Sequence, residues 1–218
     1  DPCAISCEPF IQWVVEDHFV AGRPAWEAAG VQMVSDVRPW EEMKLRMLNG
    51  SHSFLAYLGY LSGFQHINEC MQDSAFREAA YRLMMDEQAP TLTITDVDLT
   101  GYAQSLIERF ANPALKQKTW QIAMDGSQKL PQRMLAGIRL HLARESAWPL
   151  LALGVAGWMR YVSGVDDAGV AIEVRDPLND KIRAIMATHH EDQRVSALLS
   201  LSEIFGNDLP HNPGFVQA

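Results

Sequence analysis

Apolar positions recur three and four residues apart through most of this chain, the period of a helix with one face turned to a core. Eight segments carry that period: 39–48, 51–64, 73–88, 95–112, 130–145, 148–164, 176–190 and 191–206. Their starts and stops are marked. Pro39 suits a first helical position, with Glu41 and Glu42 in the first turn. Asp73 is placed to cap the third segment, and the fourth stops before Pro113. The opening 37 residues read differently. Phe10 to Val20 and Val31 to Val37 are rich in β-branched and aromatic residues, and they flank "AGRPAWEAAG" with its Pro24 and paired glycines. Two short strands joined by a loop are expected there. The prediction is one mainly α domain spanning 1–218, with a small β element leading in over 1–37.

Composition fits a sizeable core, with 48% hydrophobic and 21% charged residues among 218. The net charge of -9 argues against nucleic acid as a partner, since phosphate binding calls for clustered Lys and Arg. No membrane span is expected. The longest apolar run, Ala147 to Met159, is interrupted by Pro149 and falls short of the about 20 residues a bilayer requires. Three cysteines, Cys3, Cys7 and Cys70, make no disulfide framework and suggest a reduced, cytoplasmic setting. Cys3 and Cys7 lack a second pair, and "THHEDQ" (Thr188 to Gln193) lacks a partner at ligand spacing, so no metal site is expected. Neither a G-x-G-x-x-G nor a phosphate-loop motif is present, so no dinucleotide would be held by this chain unaided. "GYLSG" (Gly59 to Gly63) reads as close helix packing in a core.

One segment breaks its own pattern. "EEMKLRMLNGSHSFLAYLGYLSG" puts Lys44, Asn49 and His52 into an otherwise core-forming stretch. At about 100° per residue the three share a face within an arc of about 140°. A bland reading makes Lys44 a solvated lysine, Asn49 a helix end before Gly50, Ser51 the cap of the next helix and His52 a satisfied core histidine. A functional reading is carbonyl chemistry without a metal. A lysine serves as proton donor or acceptor if burial lowers its pKa from about 10.4 to about 7–8. Amide and imidazole N–H groups can hold the oxygen as charge develops.

The same stretch, with "QWVVEDHFVAGRPAWEAAGVQMVSDVRPWEEMK" before it and "MDGSQKLPQR" (Met124 to Arg133) after it, resembles the mannitol dehydrogenase family of metal-independent polyol and uronate dehydrogenases. That resemblance implies a multi-helical C-terminal substrate domain like that of 6-phosphogluconate dehydrogenase. It makes the residue matching Lys44 the general acid/base, and those matching Asn49 and His52 the binders and polarisers of the reacting oxygen. It puts the lysine matching Lys129 near the substrate, with Arg133 a further basic candidate. It also implies NAD, held by an N-terminal dinucleotide-binding domain absent from this chain, as its partner. The start at Asp1 then fits a truncated piece, inactive alone. Asp125 is read as capping the turn formed with Gly126. Polyol-oxidising members carry an arginine eight residues before the lysine of the second block, where this chain has Gln121. The branch it resembles is fructuronate reductase (D-mannonate oxidoreductase), whose sugar-acid carboxylate a guanidinium can grip with two hydrogen bonds. The rival readings are a mannitol or other polyol 2-dehydrogenase, and a stand-alone helical binding module without activity.

Overall fold

The structure, a computed structural model, describes Cys3, residues 12–166 and residues 168–218. Cys7 and the start of the first expected strand, Phe10 and Ile11, lie outside the described residues. The chain divides into two compact units, Asp1–Glu42 and Met43–Ala218.

In the first unit, β1 (Val14–Glu16) pairs in parallel with β2 (Gln32–Val34), Val15 opposite Met33. Both strands are shorter than their β-rich sequences suggest. After Glu16 the main chain turns back, His18 donating its N–H to the Glu16 carbonyl at 2.9 Å. Arg23 gathers the loop by donating to Asp17 at 2.8 Å and Glu27 at 2.6 Å. Trp26 stacks on Trp13, centroids 5.9 Å apart, and meets Phe19 edge-on. Helix α1 (Arg38–Met43) starts after Asp36, whose carboxylate accepts the Arg38 N–H at 2.9 Å.

The second unit is helical. Its α-helices are α2 (Ser51–Leu61), α3 (Ile67–Cys70), α4 (Ser74–Arg82), α5 (Leu99–Ala111), α6 (Thr119–Ala123), α7 (Gly126–Leu130), α8 (Ala136–Arg144), α9 (Pro149–Tyr161), α10 (Asn179–Thr188), α11 (Glu191–Leu199), α12 (Ser202–Phe205) and α13 (Pro213–Val216). Three stretches widen into π-helix: Lys44–Gly50 before α2, Leu83–Gln88 after α4, and Pro131–Leu135 between α7 and α8. Asp73 caps α4 as expected, accepting the Ala75 N–H at 2.7 Å. Helices α6 and α7 fill a stretch where no helix is expected, and the segment 191–206 is two helices rather than one. Gly50 does not break its helix. Its backbone is right-handed helical and Ser51 continues the turn, fully buried and not a cap.

Helix α2 forms the centre, with Phe54, Leu55, Ala56 and Tyr57 buried on successive positions. A helix apolar on nearly every side is one surrounded by protein. It packs against α6 and α9, and Gly59 lets the Cys70 thiol approach where a Cβ would stand 2.4 Å from the sulfur. Glu87, buried in the second π stretch, accepts the Leu150 and Leu151 N–H groups at 2.8 and 2.7 Å and so caps α9 from a distance in sequence. The fold is mainly α with a two-stranded parallel sheet near the N-terminus. No helix among the described residues is long and apolar enough to cross a membrane.

Candidate active site

The segment that carries Lys44 and Asn49 is itself the first π stretch, Lys44–Gly50. In a π turn the repeating bond joins residues five apart, so positions i and i+5 lie nearer one face than they do in an α-helix. Lys44 and Asn49 are five apart. The π geometry therefore brings them closer to one stripe than α spacing would. All three π stretches meet at Gly50. A Cβ there would lie 2.5 Å from Gln88 Nε2 of the second and 2.9 Å from the Arg133 carbonyl of the third. Gln88 joins the two by donating to the Arg133 carbonyl at 3.3 Å. Only glycine lets the segments approach so closely.

Around that junction the structure groups four of the five residues expected to form the site. Arg133 donates to the Ser53 hydroxyl at 3.0 Å and to the Asn49 main-chain carbonyl at 3.4 Å, tying the third π stretch to the first. Burial lowers the proton affinity of its guanidinium, the Tyr57 hydroxyl partly offsetting this. His52, on the first turn of α2, is held from Gln117 at 2.8 Å and stacks on Phe110 at 4.6 Å between centroids. Burial is the main reason its pKa falls to about 4. The Gln117 bond opposes that fall, and the Arg109 and Arg133 charges add to it. Lys129, on α7, is half-buried and donates to the Met124 and Ile122 carbonyls at 2.5 and 3.1 Å. Burial and then the neighbouring Arg133 charge lower its pKa, with Asp125 and Asp176 acting against them.

Lys44 departs from expectation in its surroundings. It is exposed, because Met43, Arg46 and Met47 take the buried face of the segment. Gln121 is likewise exposed on α6. Asp125 sits before α7 in the left-handed region, at φ 56°, and its side chain makes no capping bond. The cap is Asp176 instead, whose carboxylate accepts the Ser127 N–H at 2.8 Å.

Sequence reasoning missed Gln117, Phe110, Ser53 and Asp176. Each lies tens of residues from the side chain or helix it serves, with no local motif to mark it. It also missed a buried polar cluster behind the site. Tyr57 Oη, Trp158 Nε1 and Ser127 Oγ are buried without a hydrogen-bond partner among the described residues. A Cβ on Gly126 would lie 2.8 Å from the first and 2.4 Å from the second, so α7 is seated here only because residue 126 is glycine.

Partly buried cations beside an amide and a neutral imidazole can hold an oxygen-rich, anionic molecule. Residues 36–218 match the mannitol dehydrogenase C-terminal domain family, and residues 1–28 match the mannitol dehydrogenase Rossmann domain. The chain is 81% identical over its whole length to an uncharacterized oxidoreductase of Escherichia coli, YeiQ, and covers 45% of that protein. It is 60% identical, again over its whole length, to the D-mannonate oxidoreductase of Escherichia coli, and covers 45% of that too. The structure of Pseudomonas fluorescens mannitol 2-dehydrogenase, in a ternary complex with NAD and D-mannitol, superposes with a TM-score of 0.88 at 41% identity. That match covers 97% of this chain and 43% of the other. The chain thus spans under half the length of these relatives. It belongs to the mannitol dehydrogenase family, with residues 36–218 as the C-terminal domain.

Proposed function

We propose that this chain is the substrate-binding half of an NAD-dependent oxidoreductase, cytoplasmic, that interconverts D-fructuronate and D-mannonate. The observation that carries the sugar-acid substrate is the pair Lys129 and Arg133. They lie four residues apart, both partly buried, and neither forms an ion pair with a carboxylate among the described residues. Buried cations are costly unless an anion meets them. The carboxylate of a sugar acid would be that anion, and a guanidinium suits it geometrically. The 60% identity to a D-mannonate oxidoreductase supports the same substrate. The likeness to a mannitol 2-dehydrogenase favours a second reading, a polyol substrate, with Gln121 in place of the arginine of polyol-oxidising members.

The chain has no G-x-G-x-x-G loop, so it would not cradle a dinucleotide unaided. When bound, the nicotinamide supplies or takes the hydride. The work left to this chain is at the oxygen. On reduction, the carbonyl π bond opens as the carbon gains the hydride, and the oxygen takes a proton from the Lys44 ammonium. On oxidation the same atoms return by the same route. Asn49 and His52 provide hydrogen-bonding groups around the reacting centre. Lys129 and Arg133 hold the far end of the substrate, which orients the carbon for reaction.

The test follows NADH oxidation by the full-length protein with D-fructuronate, tagaturonate and fructose in parallel. Activity on fructuronate that falls at least a hundredfold in Lys44→Ala is the expected result, within the range typical of a lost general acid (about 10²–10⁴-fold). Turnover of fructose alone would keep the family chemistry and sink the sugar-acid assignment. No turnover of any of the three would count against catalysis and for the binding module.

A further inference from the structure

Among the described residues His52 makes a hydrogen bond and a ring contact, which fix it in different ways. The stack on Phe110, with ring planes 29° apart, fixes the plane of the imidazole. The 2.8 Å contact from Nε2 to Gln117 Oε1 fixes its rotation within that plane. Gln117 is in turn held by its main chain. Its carbonyl accepts the Ile67 N–H at 2.9 Å, and the next residue, Lys118, forms an antiparallel bridge with His66. Thr119 then donates its N–H to the Gln65 carbonyl at 3.0 Å and its hydroxyl to the Phe64 carbonyl at 2.9 Å. The loop that carries Gln117 is thus pinned on both sides of it, and the amide is presented to the ring from a fixed mount.

An amide oxygen only accepts, so the ring nitrogen facing it carries the hydrogen. A neutral imidazole has one such hydrogen, which leaves Nδ1 bare. The charges of Arg109 and Arg133 oppose a second proton. Nδ1 has no protein partner among the described residues.

We infer that Gln117 is a positioning residue that locks His52 as the Nε2–H tautomer, so that His52 presents Nδ1 to substrate as a hydrogen-bond acceptor. This rests on the reading of His52 as a substrate-binding residue, and it revises the role. A bare ring nitrogen cannot polarise a carbonyl. In reduction the carbonyl oxygen is left to Lys44 and Asn49, and His52 takes a hydroxyl on a neighbouring carbon. In oxidation it can accept from the reacting hydroxyl itself. The substrate class that fits is one with a hydroxyl beside the reacting carbon, and a ketone without it binds poorly.

The test is a long-range ¹⁵N–¹H spectrum of the full-length protein labelled at histidine, with His52 assigned by its loss in His52→Asn. The expected spectrum has Nε2 as the protonated nitrogen and Nδ1 as the unprotonated one at pH 7. Gln117→Leu, which removes the acceptor, loses that preference and shows a mixture of tautomers. Gln117→Glu, which keeps an acceptor at the same reach, retains Nε2–H. In the assay Gln117→Leu loses about tenfold in kcat/KM, in line with the loss of one neutral hydrogen bond to substrate. A wild-type spectrum with Nδ1 protonated overturns the inference whatever the activity. So does a Gln117→Leu spectrum identical to wild type in a folded protein. The expected spectra in a protein that turns over no sugar would uphold the tautomer lock while the proposed function fails, so the two fail separately.

Discussion

His52 shows how placement becomes chemistry at the scale of one residue. Its pKa is held down to about 4 chiefly by burial, so the ring stays neutral in the fold at a pH where an unfolded histidine, at about 6.5, takes up a proton. The unfolded state therefore binds more protons between those values, and stability rises with pH across that window. The contribution lost on acidification from above pH 6.5 to below pH 4 is on the order of 3 kcal/mol. Urea unfolding at pH 4.5 and pH 7 measures it. The pH dependence shrinks in His52→Asn, and an unchanged dependence would mean that the ring is not held neutral. Arg133 supports a prediction of a different kind. Its guanidinium reaches the first π stretch and has no carboxylate partner among the described residues. Arg133→Ala raises KM for D-fructuronate about 10–100-fold, the worth of one or two charge-assisted hydrogen bonds, with a smaller change in kcat. In the sequence Lys44, Asn49 and His52 stood out as polar residues in a core-forming stretch, and their roles came from the family resemblance. Gln117 did not stand out, because a partner 65 positions away leaves no local signature.

At the scale of elements the account turns on three π-helical stretches that meet at Gly50. Their presence was not legible. A π turn adds one residue to a helix without disturbing the recurrence of apolar positions on either side, so the period read as ordinary α-helix. Gly50 then read as a break, whereas its role is close approach. Gly50→Ala sets a methyl against Gln88 and the Arg133 carbonyl, at 2.5 and 2.9 Å before any shift. A cost of about 1–3 kcal/mol follows, which lowers Tm by about 2–4 °C per kcal/mol in a chain of this size. Calorimetry checks it, and an unchanged Tm would mean that the three stretches are not locked together there. Helices α6 and α7 were missed for another reason. They are five residues each, and the Asp125–Gly126 pair where α7 begins carries turn chemistry. The longer helices around α2 were legible because burial on one face forces the 3.6-residue period.

At the scale of the whole molecule, the helical class and the small opening sheet followed from a change of period near residue 38. The family resemblance rested on the stretch around Lys44, the run before it and the Met124–Arg133 block, and the family is shown by the match over 36–218. Substrate identity is the part that a helical domain reveals least, since it depends on where two cations stand in space. Here Arg133 stands against the Asn49 carbonyl although it falls 84 positions later in the chain, with Lys129 four residues before it.

The most direct test of that account is the ratio of kcat/KM for D-fructuronate to that for D-fructose, measured for the full-length protein and for Arg133→Ala. The two sugars differ in the carboxylate. The account predicts a strong preference for fructuronate in the wild type, most of which Arg133→Ala abolishes, with the rate on fructose nearly unaffected. A preference that survives the loss of Arg133, or a wild type that favours fructose, would contradict the claim that the convergent π stretches build a carboxylate site.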